Sequence, residues 1–337
     1  IDFQHRFPLH RRHEITWGLG YRMDRHTLDG SFGYSLNPRH EDLNLYSGFV
    51  QDRISVVPDK LELTIGTKGL QHHYTDLEYQ PSARLLWKPD DRNTVWGAVT
   101  RAVKTPGRHD TGSTTSWGVF SLGPATISQE AYGNRHLDAE KVLTYELGYR
   151  TKATDKLILD VTGFYNDYEE IFVTERQANI AMPGYTIWPN VMGNHLYGET
   201  YGVELATTYQ ATEDWRLNAG YTFLQMQLHS EKPIITRDAA EEGKAPHNQF
   251  HLRSLYDLSD DLELDFSLYY VDNLPEGNIP HYLRFDARLG WHMTENLELS
   301  VVGQNLFDSR HPEFGAENGQ TQTGAEQGAY LKLTGRF

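Results

Sequence analysis

The sequence predicts an all-β fold, an antiparallel transmembrane β-barrel. Three features of the 337 residues carry that reading. Apolar and polar residues alternate along most of the chain. Short acidic turns launch one strand after another. Long connections fall on every second link. Helical periodicity is nearly absent.

Alternation matters because a strand turns successive side chains to opposite faces. In WRLNAGYTF, Trp215, Leu217, Ala219, Tyr221 and Phe223 share one face, with Arg216, Asn218, Gly220 and Thr222 on the other. In LELDFSLYY, Leu262, Leu264, Phe266, Leu268 and Tyr270 oppose Glu263, Asp265, Ser267 and Tyr269. LRFDARLGW sets Leu283, Phe285, Ala287, Leu289 and Trp291 against Arg284, Asp286, Arg288 and Gly290. The last stretch, GAYLKLTGRF, alternates Ala329, Leu331, Leu333, Gly335 and Phe337 with Tyr330, Lys332, Thr334 and Arg336. Patterns of this length are strong strand signals.

Seven short turns punctuate the strands: FPLHRRHEI, VVPDKLEL, KPDDRNTV, KATDKLIL, QATEDWRL, LSDDLEL and MTENLEL. Asp and Asn suit them because their side chains bond the local backbone and tolerate unusual φ. The intervening connections, near residues 25–41, 104–140, 174–195, 228–247 and 308–327, are long and rich in Gly, Pro, His and aromatics. The one at 272–281 is shorter, and the one near 75–80 is brief. Tight turns at one rim and long loops at the other are the pattern of outer-membrane barrels. On that template the count is about fifteen strands, with the short turns in the periplasm. The first strand, near residues 2–7, and the last then both run downward, so N-terminal sequence is expected ahead of residue 1.

Composition narrows the class. No run of about 18 apolar residues exists, which excludes a spanning helix but not a barrel. A net charge of -15 argues against a nucleic-acid surface. It suits an outer membrane, where charged residues meet lipopolysaccharide and divalent cations. With no Cys there is no disulfide and no thiolate metal site. The 20 Tyr and 7 Trp fit membrane–water interfaces, where such rings concentrate. GxSxG, HExxH and P-loop patterns are missing, so no catalytic residue, metal site or cofactor is assigned. His72 and His73 are adjacent and point to opposite faces, so they read as solvated loop residues rather than a metal pair.

Longer stretches carry a resemblance. YSGFVQDRISVVPDKLELTIGTKG, followed by PSARLLWKPDDRNTVWGAVTRAVKTPGR, resembles the mid-barrel of TonB-dependent outer-membrane receptors. NRHLDAEKVLTYELGYRTKATDKLILDVTGFYNDYEEIF is similar to their next hairpin. GETYGVELATTYQATEDWRLNAGYTF, then VVGQNLFD and YLKLTGRF, resemble their later strands and C-terminus, in the family's order. The resemblance implies that residues 1–337 are part of a barrel of about 22 strands, with the plug domain and TonB box outside this chain. It implies a bacterial outer-membrane receptor that binds a scarce nutrient chelate, foremost a ferric siderophore, and imports it with TonB-derived energy. TonB acting through the plug, lipopolysaccharide and the barrel assembly machinery are the implied partners. Cobalamin and haem receptors are alternatives within the family. A passive porin-like channel, an outer-membrane hydrolase barrel and a soluble all-β binding protein are the alternatives outside it.

Candidate residues follow from residue type and position. In 104–140, Arg108, His109, Trp117, Phe120, Tyr132, Arg135 and His136 combine cations with aromatics, which suits an anionic or aromatic ligand. A haem reading would use His109 or His136 as the axial ligand. Pro106 and Gly107 break the ladder after the strand at 94–103. Arg216, Arg284, Asp286, Arg288 and Glu298 are expected to line the lumen, and the resemblance implies that they meet the plug. The resemblance also implies that Tyr330, Leu331, Leu333 and the terminal Phe337 form the signal read by the assembly machinery.

Overall fold

The computed structural model of the protein describes residues 1–230, 241–315 and 323–336. Strands dominate it. In chain order they are β1 (Asp2–His10), β2 (His13–Thr27), β3 (Tyr34–Leu36), β4 (His40–Val57), β5 (Leu61–His72), β6 (Leu77–Trp87) and β7 (Asn93–Lys104). The short helix α1 (Arg108–Gly112) leads into β8 (Ser113–Leu122), β9 (Ala125–Tyr132), β10 (Glu140–Thr154), β11 (Leu157–Arg176), β12 (Ile180–Met182) and β13 (Tyr185–Gln210). Then come β14 (Trp215–Ser230), β15 (Asn248–Ser259), β16 (Leu262–Val271), β17 (Tyr282–Thr294), β18 (Leu297–Gln304), β19 (Arg310–Pro312), β20 (Gly324–Glu326) and β21 (Gly328–Gly335).

Fifteen of these make one antiparallel meander: β1, β2, β4 to β7, β10, β11, β13 to β18 and β21, each bonded to the next. The strand count read from the turns is therefore met. Among the described residues β1 and β21 do not pair with each other, so the sheet is open between them. All seven short turns fall where the sequence places them, and the ladder shifts register beside five of them. Their chemistry is local. Asp90 Oδ1 accepts from the backbone N–H groups of Arg92 and Asn93, at 2.8 and 2.9 Å. Asp59 takes φ 60°, a left-handed conformation that Asp tolerates better than bulkier residues.

Register sorts the side chains onto two faces. One row runs Trp215, Tyr256, Leu264, Leu289, Val301, Leu331 across six strands. The neighbouring row runs Arg216, Leu255, Asp265, Arg288, Val302, Tyr330 on the opposite face. The first face is apolar and bare: Leu331 is 70% exposed, and Leu147 of β10 is 65% exposed. A soluble protein would bury such a belt, so the soluble all-β reading fails. Rings gird the belt at two heights, as a membrane barrel requires. Trp87, Tyr209, Trp215 and Tyr256 lie near the short turns. Tyr79, Tyr201, Tyr221 and Phe250 lie further along the same strands, roughly 20–26 Å away at ~3.3 Å per residue.

The long connections carry structure of their own. Within residues 174–195 the wall ladder runs on. β11 continues to Arg176 and β13 begins at Tyr185, because their ladder holds as far as Arg176 and Asn190. β13 has 26 residues, whereas a crossing takes about 9–11. More than half of it therefore stands beyond the membrane. Residues 104–140 also fold, into α1 and the β8–β9 hairpin. β9 pairs with β13 in parallel, an exception to the antiparallel plan, and β3 pairs with β8. Three connections thus merge into one small sheet, and several of the best-buried apolar residues lie in or beside it. Ala139 is fully buried, with Leu137, Ile127 and Leu196 close to it in burial. The loop expectations at 228–247 and 308–327 fall partly outside the described residues; within the described part of the second, β19 pairs with β20.

Candidate functional site

The loop sheet at the long-connection rim collects most of the candidate residues. Its organising group is one carboxylate, Glu41, near the start of β4. Arg108 of α1 places Nε 3.2 Å from Glu41 Oε2, and Arg135 places Nη2 3.1 Å from Oε1. Tyr74, from the brief connection after β5, donates its hydroxyl to Oε2 at 2.5 Å. His73 Nε2 approaches to 3.7 Å. Arg108 also donates to the Pro38 carbonyl, and Arg135 donates to the Asn37 carbonyl at 3.3 Å. Burial and the hydrogen bond to Glu41 push the Tyr74 hydroxyl pKa above its ordinary value. Four chain segments therefore meet at one side chain that is 11% exposed.

Arg108 and Arg135 are brought together but not in the same state. The Arg108 side chain is 5% exposed and that of Arg135 is 51% exposed. His109 stacks on Tyr34 of β3 at 5.8 Å, and the Tyr34 hydroxyl lies 3.2 Å from His109 Nδ1. Phe120 meets Trp188 of β13 edge-on at 5.4 Å, and Arg176 lies over the same indole at 4.5 Å. Trp117 is exposed on β8. Tyr132 donates its hydroxyl to Glu130, and its pKa is pushed up to about 12, first by burial and then by that bond. The His136 N–H donates to Asn134 Oδ1 at 2.9 Å. Asparagines of β13 fasten the 104–140 segment from the other side: Asn190 donates to the Glu130 carbonyl at 3.2 Å, and Asn194 to the Asp138 carbonyl at 3.2 Å.

Glu41, Tyr74, Tyr34, Trp188 and Asn194 were not singled out in the sequence. Their partners lie far along the chain, 33 residues for Tyr74 and 94 for Arg135 in the case of Glu41, so no local spacing marks them. His72 corrects an expectation. It is 7% exposed rather than solvated, because it closes β5 beneath Tyr74, with the rings 5.6 Å apart.

Beside the loop sheet, on the face shared with Arg216, an open recess of about 570 Å³ is lined by Ile171, Phe172, Leu196, Met226, Leu228 and Lys244. Lys104 sits 5.0 Å from the Phe172 ring and 2.9 Å from Glu140 Oε2. It is an apolar patch on an otherwise polar face.

Across β16, β17 and β18 that face carries a charge network. Arg288 bonds Glu263, Asp265 and Glu298 at 2.8, 2.7 and 2.5 Å. His292 lies 2.9 Å from the second Glu263 oxygen. Arg284 forks onto Asp286, which also accepts the Asn305 N–H at 2.9 Å. Four of the five expected lumen residues therefore sit in two adjoining clusters, while Arg216 is exposed and apart. At the C-terminal end, Leu331 and Leu333 lie on the apolar face opposite Val301 and Leu299, and Tyr330 on the polar face opposite Val302. Phe337 lies outside the described residues.

A fifteen-strand meander with a bare apolar belt, two aromatic levels, tight turns at one rim and built loops at the other defines an outer-membrane β-barrel. The chain belongs to the TonB-dependent receptor family: residues 1–306 match the model of the TonB dependent receptor-like β-barrel. It is similar to the iron-regulated outer membrane virulence protein of Vibrio cholerae, 25% identical over 319 residues, 90% of this chain and 47% of that protein. It is also similar to a probable TonB-dependent siderophore receptor, PiuA, of Acinetobacter baumannii, 24% identical over 68% of this chain and 30% of that protein. Among solved structures, the siderophore receptor PirA of Acinetobacter baumannii covers 100% of this chain with a TM-score of 0.79 at 17% identity, over 54% of its own length. A variant of the ferric enterobactin receptor PfeA of Pseudomonas aeruginosa gives 0.77 at 19% identity, covering 100% of this chain and 53% of its own. At these identities the structures speak for the fold. The chain spans about half the length of the first of these relatives and of both solved structures.

Proposed function

We propose that this chain supplies the barrel wall and ligand-facing loops of a receptor that binds a ferric siderophore or similar metal chelate and imports it with TonB-derived energy. Family membership over residues 1–306 is the observation that carries the reading. The loop sheet supports it. Arg135 and Trp117 are exposed at its surface, offering a cation and a ring to an anionic, aromatic chelate. Arg108 is buried, so it serves as a positioning residue for the loops. The recess under Phe172 and Met226 suits an apolar portion of such a ligand. Arg216, Arg284, Asp286, Arg288 and Glu298 face a plug in this reading, and TonB acts through that plug. Lipopolysaccharide surrounds the belt, and the assembly machinery reads Tyr330, Leu331, Leu333 and Phe337. This reading assigns no residue a catalytic role.

Growth of a strain lacking the receptor on single iron or cobalt chelates tests this. Loss of growth on one ferric chelate, restored by the native gene and restored less well by Arg135→Ala, is the expected result. If no chelate or vitamin depends on the gene, the uptake reading fails.

A further inference from the structure

After β18 the chain leaves the ladder in a specific way. Asn305 adopts φ 53° and is buried. Its N–H turns to Asp286 on the polar face, while the Leu306 N–H donates to the Phe285 carbonyl at 2.8 Å. Leu306 folds over Gly303, where a Cβ would come within 2.9 Å of Leu306 Cδ2 and the leucine tip would have to shift. Phe307 then lies against the apolar face. Its ring stacks on Phe285 at 4.4 Å and 13°, and Phe285 stacks on Phe266 at 5.7 Å and 21°.

Next to this wall of three rings the belt has a gap. Ser254 is the small residue among large neighbours, and its hydroxyl accepts from Trp215 Nε1–H at 2.9 Å. The outcome is a recess of about 330 Å³ lined by Leu252, Ser254, Phe266, Leu268, Phe285 and Phe307, its surface entirely apolar. Phe285 lies near the long-connection end of β17, and Leu252 and Ser254 near the middle of β15. The recess therefore opens on the half of the belt that meets the outer leaflet.

We propose that this recess seats one extended acyl chain of an outer-leaflet lipid. The inference rests on the outer-membrane placement of the belt, not on the identity of the chelate. The recess is continuous with the membrane-facing surface, so hydrocarbon is what covers it. Burial from water supplies no preference inside a bilayer; contact does. A chain in the slot touches rings on one flank and aliphatic side chains on the other, gaining dispersion contacts that the flat belt does not offer.

The test uses the full-length receptor in phosphatidylcholine vesicles doped with a phospholipid carrying a mid-chain diazirine. After photolysis, peptide mapping should find label at Phe266, Leu268 and Phe307 several-fold above that at Leu205, which lies on the same face away from the recess. Ser254→Phe fills the slot and Phe307→Ala removes its outer wall. Either change should bring labelling there down to the Leu205 level and leave Leu205 unaffected. Should Ser254→Phe fail to fold, Phe307→Ala at a 63% exposed position carries the comparison. Equal labelling at the recess and at Leu205 in the native protein, or unchanged labelling in the variant that folds, overturns the proposal.

Discussion

The Arg108 guanidinium and the Glu41 carboxylate form an ion pair at 3.2 Å, with both side chains nearly sealed from solvent. The pair joins the helix inside the longest connection to the base of β4. Tyr74 and Arg135 converge on the same carboxylate, which makes it the point where separate loops become one body.

Removing one partner of such a pair strands the other charge. Glu41→Ala should cost roughly 3–5 kcal/mol locally. Hydrogen exchange should rise in residues 104–140 and 73–76, while the wall strands keep their protection. Glu41→Gln retains an acceptor and should show a smaller rise. Native-like protection of 104–140 in Glu41→Ala would mean that the loops do not depend on this carboxylate.

The two faces of the sheet make opposite demands. Leu147 is on the apolar belt and Arg216 on the polar face. Leu147→Arg should destabilise the folded barrel by about 2–4 kcal/mol, the cost of an arginine near the bilayer midplane. Arg216→Leu should be close to neutral. Urea titration of the receptor in vesicles measures both, and the reverse ranking would assign the faces wrongly.

Arg288 holds three carboxylates apart. Arg288→Met leaves them facing one another and should lower stability by roughly 3–5 kcal/mol. Adding Glu298→Gln should recover part of the loss, since one charge of the three is gone. Heat-modifiable electrophoretic mobility reports the change; an Arg288→Met barrel as heat-resistant as the native one would show that the cluster is not coupled to the fold.

Tyr132 provides a pH signature in the loop sheet. Its hydroxyl pKa is raised to about 12 by burial and by the bond to Glu130, against about 10 in an unfolded chain. A raised folded value favours the protonated, folded form. The contribution is therefore complete below pH 10 and is lost as pH rises from about 10 to 12. Tyrosinate absorbance should show a component near pH 12 that is missing in Tyr132→Phe. A component near pH 10 in its place would mean the ring is not buried.

Much of the wall was legible in the chain. Leu264, Leu289 and Leu299 alternate with charged, polar or small neighbours, and period 2 has one geometric meaning, so strand, face and approximate count followed. The acidic turns were legible for the same local reason, since Asp90 bonds atoms two and three residues away. The loop sheet was not. β9 finds β13 in parallel some 60 residues on, and nothing near Ile127 announces Thr186 as its partner. Composition marked 174–195 only as a long connection and did not show that the ladder continues into it.

The same division runs through the site. By itself the sequence determined a membrane barrel with cations and rings gathered in its long connections, because alternation and turn chemistry are short-range and survive in any context. Only the tertiary structure decided which of those residues stay available. It sealed Arg108 against Glu41, left Arg135 half-open beside it, and folded Phe307 back onto the belt. Burial depends on contacts between residues distant in the chain, and those form only when the whole sheet has set its register.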